Sequence, residues 1–417
     1  MTNTLEINSV NTNYLVNKYK TPLLVYNEDM IEDRIDSYKE HFKSSLFKTN
    51  ILYASKAFSC KYMYSIVNRK NIGIDVVSYG ELYTAIKAKV NPEVIYFHGN
   101  NKTADEIKLG LNYKIKAFVV DNLGELDDME NICKELNTTT NVLLRMNIGV
   151  EAHTHEYIVT SHIDSKFGLA VDGEATIEAI SRISNSKYLN LSGFHSHIGS
   201  QIFELDGYYA AIDKLLNLCT QFDYPLTLNL GGGFGITYTD ADSPQSIEET
   251  CSNIIKYTEN KLKELNIEID QLLIEPGRSI VGEAGYTLYT IGNEKKTLNK
   301  HYLFIDGGMS DNIRPSLYQA EYSCDIANKI NSKKTNTYTI AGKCCESGDI
   351  LIKECRLPKA EKNDTLVVYS CGAYGYSMAS NYNKLTIPAV VFIKNGEDKL
   401  IIRRQSVEEL IERECDV

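Results

Sequence analysis

Short apolar runs alternate with helix-like stretches through the middle of the chain. The runs are rich in β-branched residues, and the stretches between them carry apolar residues at the helical period with charged residues on the opposite face. Alternating strands and helices predict a parallel sheet covered by helices. Eight runs within about 250 residues favour a closed (β/α)8 TIM-type barrel over an open doubly wound sheet. The predicted barrel strands are 51–54, 74–77, 94–97, 117–120, 142–146, 191–195, 226–230 and 272–274.

The pattern changes near residue 281, where apolar runs are separated by turns and helical stretches become scarce. This pattern predicts a C-terminal antiparallel β domain, either a sandwich or a barrel. The early run T-P-L-L-V-Y at 21–26 has no place among the eight units, and we expect it to pair with the C-terminal sheet. The predicted domains are a barrel over 28–280 and a β domain of 281–417 joined by 1–27. Its predicted strands are 286–291, 302–305, 337–341, 365–369 and 389–393.

Composition narrows the range of partners and compartments. The 417 residues carry a formal net charge of −11. No run of basic residues is interleaved with aromatics, which argues against nucleic acid and anionic membranes as partners. No apolar run approaches the ~20 residues that span a bilayer, and no signal-peptide pattern opens the chain. The 10 cysteines include no C-x-x-C pair, so we expect reduced thiols in a cytoplasmic protein.

Chemically active side chains cluster where the predicted strands end. Functional groups of such barrels lie at the C-terminal ends of the strands. In this chain those ends supply one amine, two carboxylates, several imidazoles, two guanidinium groups and a glycine run. The residues are Lys56, Asp75, Ser78, His98, Arg145, Asn147, His195, His197, Ser200, Gly231 to Gly235, Glu275 and Arg278.

Lys56 follows the apolar strand I-L-Y-A within two residues. Desolvation there would disfavour the ammonium form and lower the lysine pKa, which makes the amine a better nucleophile. The alternative is a lysine at a helix start that simply reaches solvent. The residue alone does not decide between these interpretations.

The end of strand seven, G-G-G-F-G, and the end of strand eight, E-P-G-R, suggest an anion site. Glycines let backbone N–H groups approach a phosphate, and barrels commonly hold phosphate after strands seven and eight. Tight loops also use glycine, so the run has a purely structural alternative. Glu275 could pair with Arg278, or it could hold a proton on a ring nitrogen.

His195 and His197 alternate along a strand, so we expect both rings on the same side. An H-x-H pair also serves as a metal site on some barrels, but it needs further ligands. We do not find a carboxylate–histidine set at the other strand ends, and we predict no metal. An amine, a phosphate cradle, a flat imidazole and a carboxylate together favour pyridoxal 5′-phosphate as cofactor.

Nine ordered motifs give a resemblance that covers nearly the whole chain. The chain resembles the diaminopimelate decarboxylases, which belong to the alanine-racemase-like fold type of pyridoxal-phosphate enzymes. The motifs are Y-A-S-K-A-F at 53–58, G-I-D-V-V-S at 73–78, A-H-T-H-E-Y at 152–157, H-S-H-I-G-S-Q-I at 195–202, L-G-G-G-F-G-I at 230–236, E-P-G-R-S-I-V at 275–281, D-G-G-M-S-D-N-I-R-P-S-L-Y at 306–318, C-E-S-G-D at 345–349 and G-A-Y-G-Y-S-M-A-S-N-Y-N at 372–383.

The resemblance implies a role for each matching residue. Lys56 would carry the cofactor through a Schiff base, His197 would stack on its ring, and Glu275 would keep the ring nitrogen protonated. Cys345 would donate the proton after carbon dioxide leaves. The implied cofactor-binding residues are Lys56, Asp75, His197, Ser200, Gly231, Gly232, Gly233, Glu275, Gly277, Arg278 and Tyr374. The implied substrate-binding residues are Arg278, Arg314, Tyr318, Glu346 and Tyr374.

The implied reaction removes the carboxylate from the D-configured centre of meso-diaminopimelate and gives L-lysine. The family also implies a homodimer whose active sites lie at the interface, with Cys345 reaching in from the partner subunit. The charges near Cys345, from Glu346 and Asp349, would raise its pKa and keep the thiol protonated. Two positions depart from the family pattern, Lys343 in place of proline and Ser161 in place of glycine.

Three alternatives remain open from the sequence. A racemase would need a base on the opposite face of the cofactor but neither C-E-S-G-D nor two arginines that grip a carboxylate. A decarboxylase of ornithine, arginine or carboxynorspermidine would differ mainly at Arg314 and Glu346. A non-catalytic relative would tend to lack Lys56, Cys345 or the β domain, and this chain has all three.

Overall fold

A computed structural model describes residues 3–149 and 165–415. The chain divides into two compact units. One unit contains Arg34–Gly235 and Pro244–Ser279, and the other contains Met1–Asp33, Ile236–Ser243 and Ile280–Val417.

The first unit contains a closed barrel of eight parallel strands. Closure occurs because the sixth strand pairs with both the fifth and the seventh, while the eighth pairs with the first. Long apolar runs form these strands because a parallel barrel strand is buried on both faces. The predicted barrel is confirmed. Its strands are Lys48–Ala54, Gly73–Val76, Ile95–Phe97, Ala117–Val120, Thr140–Asn147, Leu189–His195, Leu226–Asn229 and Ile269–Ile274, with the short strand Leu169–Ala170 beside the fifth.

Helices connect the barrel strands, and four of these helices have the same kind of N-cap. The side chains of Ser78, Thr103, Asn122 and Ser246 each accept the N–H of a glutamate three residues later. Such caps satisfy backbone donors that have no partner within the helix. The helices are Glu28–His41, Lys61–Lys70, Tyr79–Lys87, Ala104–Tyr113, Leu123–Glu135, Glu174–Asn185, Asp206–Cys219, Ile247–Leu265 and the single turn Arg278–Val281.

The second unit is built around a mixed sheet. Its strands are Leu23–Asn27, Gly285–Lys296, His301–Ile305, Cys324–Ile326, Asn336–Ala341, Ile350–Leu357, Thr365–Val368, Ala389–Lys394 and Glu397–Ile402. The small strands Glu6–Ile7 and Val10–Asn11 and the helices Thr12–Tyr19 and Arg314–Tyr318 complete the unit.

The early strand Leu23–Asn27 lies inside this sheet, which confirms the predicted pairing. It runs antiparallel to Gly285–Lys296 and parallel to Ala389–Lys394. His301–Ile305 and Asn336–Ala341 are also parallel. The prediction of a wholly antiparallel sheet is therefore wrong in this detail. Long connections allow strands to return in the same direction, which short hairpins cannot do.

Neither described part of the chain contains a helix with both the length and the apolar character that a bilayer crossing demands.

Candidate functional site

Lys56 lies on a single 3-10 turn, Ser55–Ala57, directly after the first barrel strand. Ser55 and Ala57 are buried, whereas the Lys56 side chain is exposed. Of the two interpretations that the sequence left open, this exposure favours the one in which the lysine reaches solvent. A tight turn, unlike a continued strand, packs its flanking residues inward and directs the middle side chain away from the core.

Asp75 ties the end of the second strand to the Lys56 turn. Its Oδ1 accepts the N–H of Ser55 at 3.0 Å, and the Ser55 hydroxyl donates to the Asp75 carbonyl. Burial raises the pKa of Asp75 well above its usual value, Glu275 adds to this effect, and Lys56 opposes it. The positive charge of Lys56 therefore acts on the buried carboxylate that fixes its own turn.

Glu275, which follows the eighth strand, is approached by side-chain nitrogens from three other strands. Its Oε1 lies 2.8 Å from His98 Nε2 and accepts from Asn229 Nδ2 at 2.7 Å. Its Oε2 lies 3.3 Å from His195 Nε2. Burial alone would raise the pKa of Glu275, yet His98 and His195 bring it well below its usual value. Glu275 is therefore an ionised carboxylate inside the barrel.

The cluster of His98, His195 and Glu275 overturns one sequence argument. Their possible ligand atoms all lie within 4.8 Å of one another, so a carboxylate–histidine set does exist at the strand ends. The three residues are far apart in the sequence, and only closure of the barrel brings them together. The prediction that no metal binds stays a prediction.

His197 lies just beyond the end of the sixth strand and is half-buried. Its Nδ1 accepts the N–H of Gly232 at 3.2 Å. Burial, followed by the charges of Lys56 and Arg145, lowers the pKa of His197 well below its usual value. The ring is therefore a neutral imidazole that carries its proton on Nε2.

The glycine run forms a close approach between strand ends. Gly231 and Gly233 have φ values of +68° and +106°, which favour glycine. A Cβ on Gly232 would lie 2.2 Å from the Glu275 carbonyl oxygen. The N–H of Gly231 donates to Asn229 Oδ1 and that of Gly232 donates to His197. Two of the N–H groups that the sequence suggested for a phosphate are thus used within the protein.

Arg278 supplies a positive charge beside the glycine run. The side chain is 7% exposed, and its Nη2 donates to Ser200 Oγ at 2.8 Å. A Cβ on Gly277 would lie 2.8 Å from the Ala54 side chain, so only glycine lets this loop pass close to the Lys56 turn. A buried guanidinium with a hydroxyl suits an anionic group. With Lys56, His197 and ionised Glu275, these residues fit pyridoxal 5′-phosphate.

In the second unit, Arg314 is surrounded by tyrosines. Its Nη1 donates to the hydroxyls of Tyr238, at 3.1 Å, and of Tyr322. Its guanidinium lies 6.0 Å from the ring centre of Tyr374, a residue with a φ of +64°. A non-glycine residue in this conformation is strained and occurs often at functional sites.

The C-E-S-G-D turn of the second unit exposes Cys345 and Glu346 and buries Asp349. The Cys345 N–H donates to Asn383 Oδ1 at 2.7 Å. Asp349 accepts the N–H groups of Met309 at 2.7 Å and Cys344 at 2.8 Å. Burial and then Asp349 raise the pKa of the Cys344 thiol. The structure thus places Asp349 against Cys344, not against Cys345 as the sequence argument assumed.

Tyr318 is half-buried at the end of the helix Arg314–Tyr318. The Ser316 hydroxyl of this helix donates to the Gly348 carbonyl at 2.7 Å, which joins the helix to the C-E-S-G-D turn. The predicted residues of the second unit therefore lie on two connected segments.

Sequence reasoning missed four residues of these sites. Asn229 was hidden inside an apolar strand, Tyr238 and Tyr322 lie in no motif, and Asn383 ends the motif at 372–383 but was given no role. The motif at 152–157 and Ser161 lie outside the described residues.

Comparisons with known proteins place these features in one family. The family described as "Pyridoxal-dependent decarboxylase, pyridoxal binding domain" matches residues 28–282. The chain is 46% identical to a diaminopimelate decarboxylase of Halalkalibacterium halodurans, with 98% of this chain and 94% of the relative covered. It is 45% identical to that of Bacillus subtilis, with the same coverage of 98% and 94%. A crystal structure of diaminopimelate decarboxylase from M. jannaschii in complex with L-lysine has a TM-score of 0.91 and 32% identity, and covers 100% of this chain and 99% of that chain.

Proposed function

The chain belongs to the diaminopimelate decarboxylases, and from that premise we propose how its own residues carry out the family reaction. The chain is a pyridoxal 5′-phosphate-dependent carboxy-lyase that converts meso-diaminopimelate to L-lysine and carbon dioxide. The observation that carries the proposal is one barrel in which Lys56, His197 and an ionised Glu275 follow the first, sixth and eighth strands.

We assign the barrel residues to the cofactor. When bound, pyridoxal phosphate accepts the electrons that remain on the substrate carbon after carbon dioxide leaves. Lys56 would anchor the aldehyde, neutral His197 would pack on the ring, Glu275 would accept a hydrogen bond from the ring nitrogen and keep that nitrogen protonated, and Asp75 holds the Lys56 turn. The residues that surround the phosphate in this proposal are Ser200, Gly231, Gly232, Gly233, Gly277, Arg278 and Tyr374. Gly231 and Gly232 shape the loop there, because their own N–H groups donate within the protein.

We assign the far end of the substrate to a second set of residues, most of them charged. Arg278 and Arg314 bind the carboxylate that stays on the product, because a guanidinium can grip a carboxylate with two parallel hydrogen bonds. The hydroxyls of Tyr238 and Tyr322 hold Arg314 in place for this role. Tyr318 and Tyr374 line the same carboxylate, and Glu346 binds the far ammonium.

Cys345 is the proposed proton donor. Its side chain is exposed, and its backbone is fixed by Asn383, so the thiol can approach a carbon atom of a bound substrate. We further propose a homodimer in which Cys345 acts in the active site of the other copy. A cytoplasmic location belongs to the same proposal.

Purified protein loaded with cofactor tests the function. We expect L-lysine and carbon dioxide in equal amounts from meso-diaminopimelate, and no carbon dioxide from ornithine, whose far end would leave the arginines without a carboxylate. Lys56→Ala should abolish both turnover and the yellow absorbance of the bound cofactor. Lys61→Ala, an exposed lysine five residues later, is the matched control and should retain both. Full activity of Lys56→Ala would refute the assignment.

A mixing experiment tests the shared active site. We expect Lys56→Ala and Cys345→Ser each to be inactive when expressed alone. If each site combines Lys56 of one copy with Cys345 of the other, an equal mixture should recover about a quarter of native activity, since half of the dimers contain one intact site. A mixture that stays inactive while subunits exchange would show that both residues act within one copy.

A further inference from the structure

Three side chains converge on the carboxylate of Glu275. His98, His195 and Asn229 follow or end three different barrel strands and present a nitrogen within 3.3 Å of a Glu275 oxygen. Their exposed fractions are 5% or less, and that of Glu275 is 6%. The two imidazole rings meet edge to face, with ring centres 4.7 Å apart and planes at 74°.

The contact with Glu275 fixes where His195 carries its proton. Glu275 is ionised and can only accept hydrogen bonds, so the His195 ring presents an N–H at Nε2, and an N–H at Nε2 of His98 would suit its 2.8 Å approach to Oε1. Burial lowers the pKa of His195 to about 4, so this ring donates while it is neutral. A neutral donor orients a carboxylate and leaves its negative charge in place. A lysine or an arginine would instead offset that charge.

The Glu275 carboxylate has more hydrogen-bond acceptor positions than the protein fills. An ionised carboxylate offers about four acceptor positions on its two oxygens. Among the described residues, Asn229 donates to Oε1, which His98 Nε2 also approaches to 2.8 Å, and His195 donates to Oε2. One position of Oε2 is therefore left for a proton-bearing ring nitrogen.

We propose that His98 and His195 are positioning residues, which aim Oε2 of Glu275 at the ring nitrogen of the cofactor and keep the full negative charge on that carboxylate. The proposal rests on the role given to Glu275 in the proposed function. It adds two histidines that neither hold the phosphate nor touch the reacting carbon, and that set the electron demand of the ring through Glu275.

The same spacing also matches a site in which two imidazoles and one carboxylate bind a divalent cation. The test below therefore includes a measurement of bound metal. Charges on neighbouring residues also affect the pKa values in the cluster. Arg145 and His98 lower the pKa of His195, and Asp75 and Glu275 repel each other. The experiment therefore reports on the imidazoles themselves and not only on activity.

Nitrogen-15 NMR of the imidazoles in the unsubstituted protein gives the first readout. We expect both rings to carry a proton on Nε2 and His195 to be neutral, both without cofactor and with it. A charged His195 at pH 7, or a ring of either histidine without a proton on Nε2, would overturn the proposal. A metal ion bound in equal amount to the purified holoenzyme, measured by plasma mass spectrometry, would overturn it too.

Paired variants give the second readout. His195→Phe and His98→Phe keep a ring but remove the donor, whereas His195→Gln and His98→Gln keep an N–H near the position of Nε2. We expect the phenylalanine variants to bind cofactor at least tenfold more weakly and to shift its visible absorbance maximum. The glutamine variants should restore affinity to within about threefold. His301→Phe removes a histidine paired with Glu294 in the other unit and serves as control.

Glu275→Gln separates this inference from the proposed function. If Glu275→Gln leaves the cofactor spectrum unchanged, the role of Glu275 itself is wrong. If Glu275→Gln shifts the spectrum while both phenylalanine variants retain native affinity and spectrum, only the positioning role of the histidines fails. Should the phenylalanine variants not fold, the NMR result on the unsubstituted protein still decides the question.

Discussion

The Asp349 carboxylate accepts the backbone N–H of Cys344 through Oδ2 at 2.8 Å. Its Oδ1 accepts the N–H of Met309 at 2.7 Å, and a Cβ on either Gly308 or Gly342 would collide with the carboxylate. One buried side chain thus joins the loop that precedes Arg314 to the turn that carries Cys345. The two loops that we assign to the substrate share this single anchor.

Replacing Asp349 should therefore affect turnover as well as stability. In Asp349→Asn the amide NH2 faces one of the two N–H donors, so one charge-assisted hydrogen bond is lost and a buried donor is left unsatisfied. We expect a loss of about 2–3 kcal/mol in unfolding free energy. We also expect kcat/KM for meso-diaminopimelate to fall at least tenfold, with cofactor affinity changed by less than twofold.

Urea unfolding and steady-state kinetics measure these two effects. Asp223→Asn, an exposed aspartate of the barrel unit, is the matched control and should change neither quantity. Native stability and native kcat/KM in Asp349→Asn would show that the turn does not depend on this anchor.

Titration of the Asp311 carboxyl group should make the unfolding free energy depend on pH. Burial raises the pKa of Asp311 to about 6, although hydrogen bonds from Tyr289, Gly308 and Ser310 oppose the shift. An aspartate in an unfolded chain titrates near 3.9. The folded protein therefore binds this proton more tightly, and the resulting stability is present below pH 3.9 and lost as pH rises through about 6. The loss is about 3 kcal/mol, since one pKa unit corresponds to 1.36 kcal/mol.

Asp311→Asn should remove this part of the pH dependence. The asparagine keeps an acceptor for the Gly308 N–H but does not titrate. We expect the unfolding free energy of the variant to vary less between pH 4.5 and pH 7 than that of the native protein, measured by urea titration at several pH values. Parallel pH profiles for the variant and the native protein would contradict the prediction.

The sequence predicted the barrel well because buried parallel strands leave a local signature. Apolar runs of strand length recur eight times, and all eight are barrel strands in the structure. The mixed sheet was harder to predict, because Leu23–Asn27 pairs with strands more than 250 residues away. Strand direction depends on how the connections return, and no local pattern records it.

The site residues show the same division between local and distant information. Lys56, His197 and Glu275 could be found because each follows an apolar strand. The contacts and the exposure of these side chains could not be predicted, since closure of the barrel brings His98 to Glu275 and a single turn exposes Lys56. Asn229 reads as part of a strand until the structure shows its amide on the Glu275 carboxylate.

Glu346 should govern recognition of the far ammonium. Its side chain is exposed on the C-E-S-G-D turn, where it can pair with a substrate amine. We expect Glu346→Ala to lower kcat/KM for meso-diaminopimelate by about tenfold to a hundredfold, the range for loss of one charged contact to a substrate. Activity toward 2-aminopimelate, which lacks the far amine, should be nearly unchanged. Equal losses on both substrates would argue against this role.

Cys345 should matter for proton return and not for cofactor binding. We expect Cys345→Ala to lower kcat by about 10²- to 10⁴-fold, the usual contribution of a positioned general acid. The absorbance of the bound cofactor should stay native. Cys415→Ala removes another exposed thiol and should retain full activity. Native turnover in Cys345→Ala would mean that another group supplies the proton.

A substitution at Gly193 tests how closely the sixth and seventh barrel strands pack. It lies in the sixth strand, where the register with the fifth strand shifts between Leu191 and Gly193. A Cβ at this position would lie 1.8 Å from the carbonyl oxygen of Thr227 on the seventh strand. Backbone cannot move aside as the end of a flexible side chain can, so the two strands would have to separate.

We therefore expect Gly193→Ala to destabilise the protein by more than the 1–3 kcal/mol that is typical of overpacking, and to reduce the yield of folded protein. Because the sixth strand ends at His195 and leads into His197, any folded fraction should also bind cofactor weakly. Gly292→Ala is the control, since the nearest atom to its Cβ is the Phe304 carbonyl oxygen at an ordinary 3.7 Å. Thermal unfolding followed by circular dichroism compares the two variants. An unchanged melting temperature in Gly193→Ala would mean that the sixth and seventh strands are not packed as closely as the structure has them.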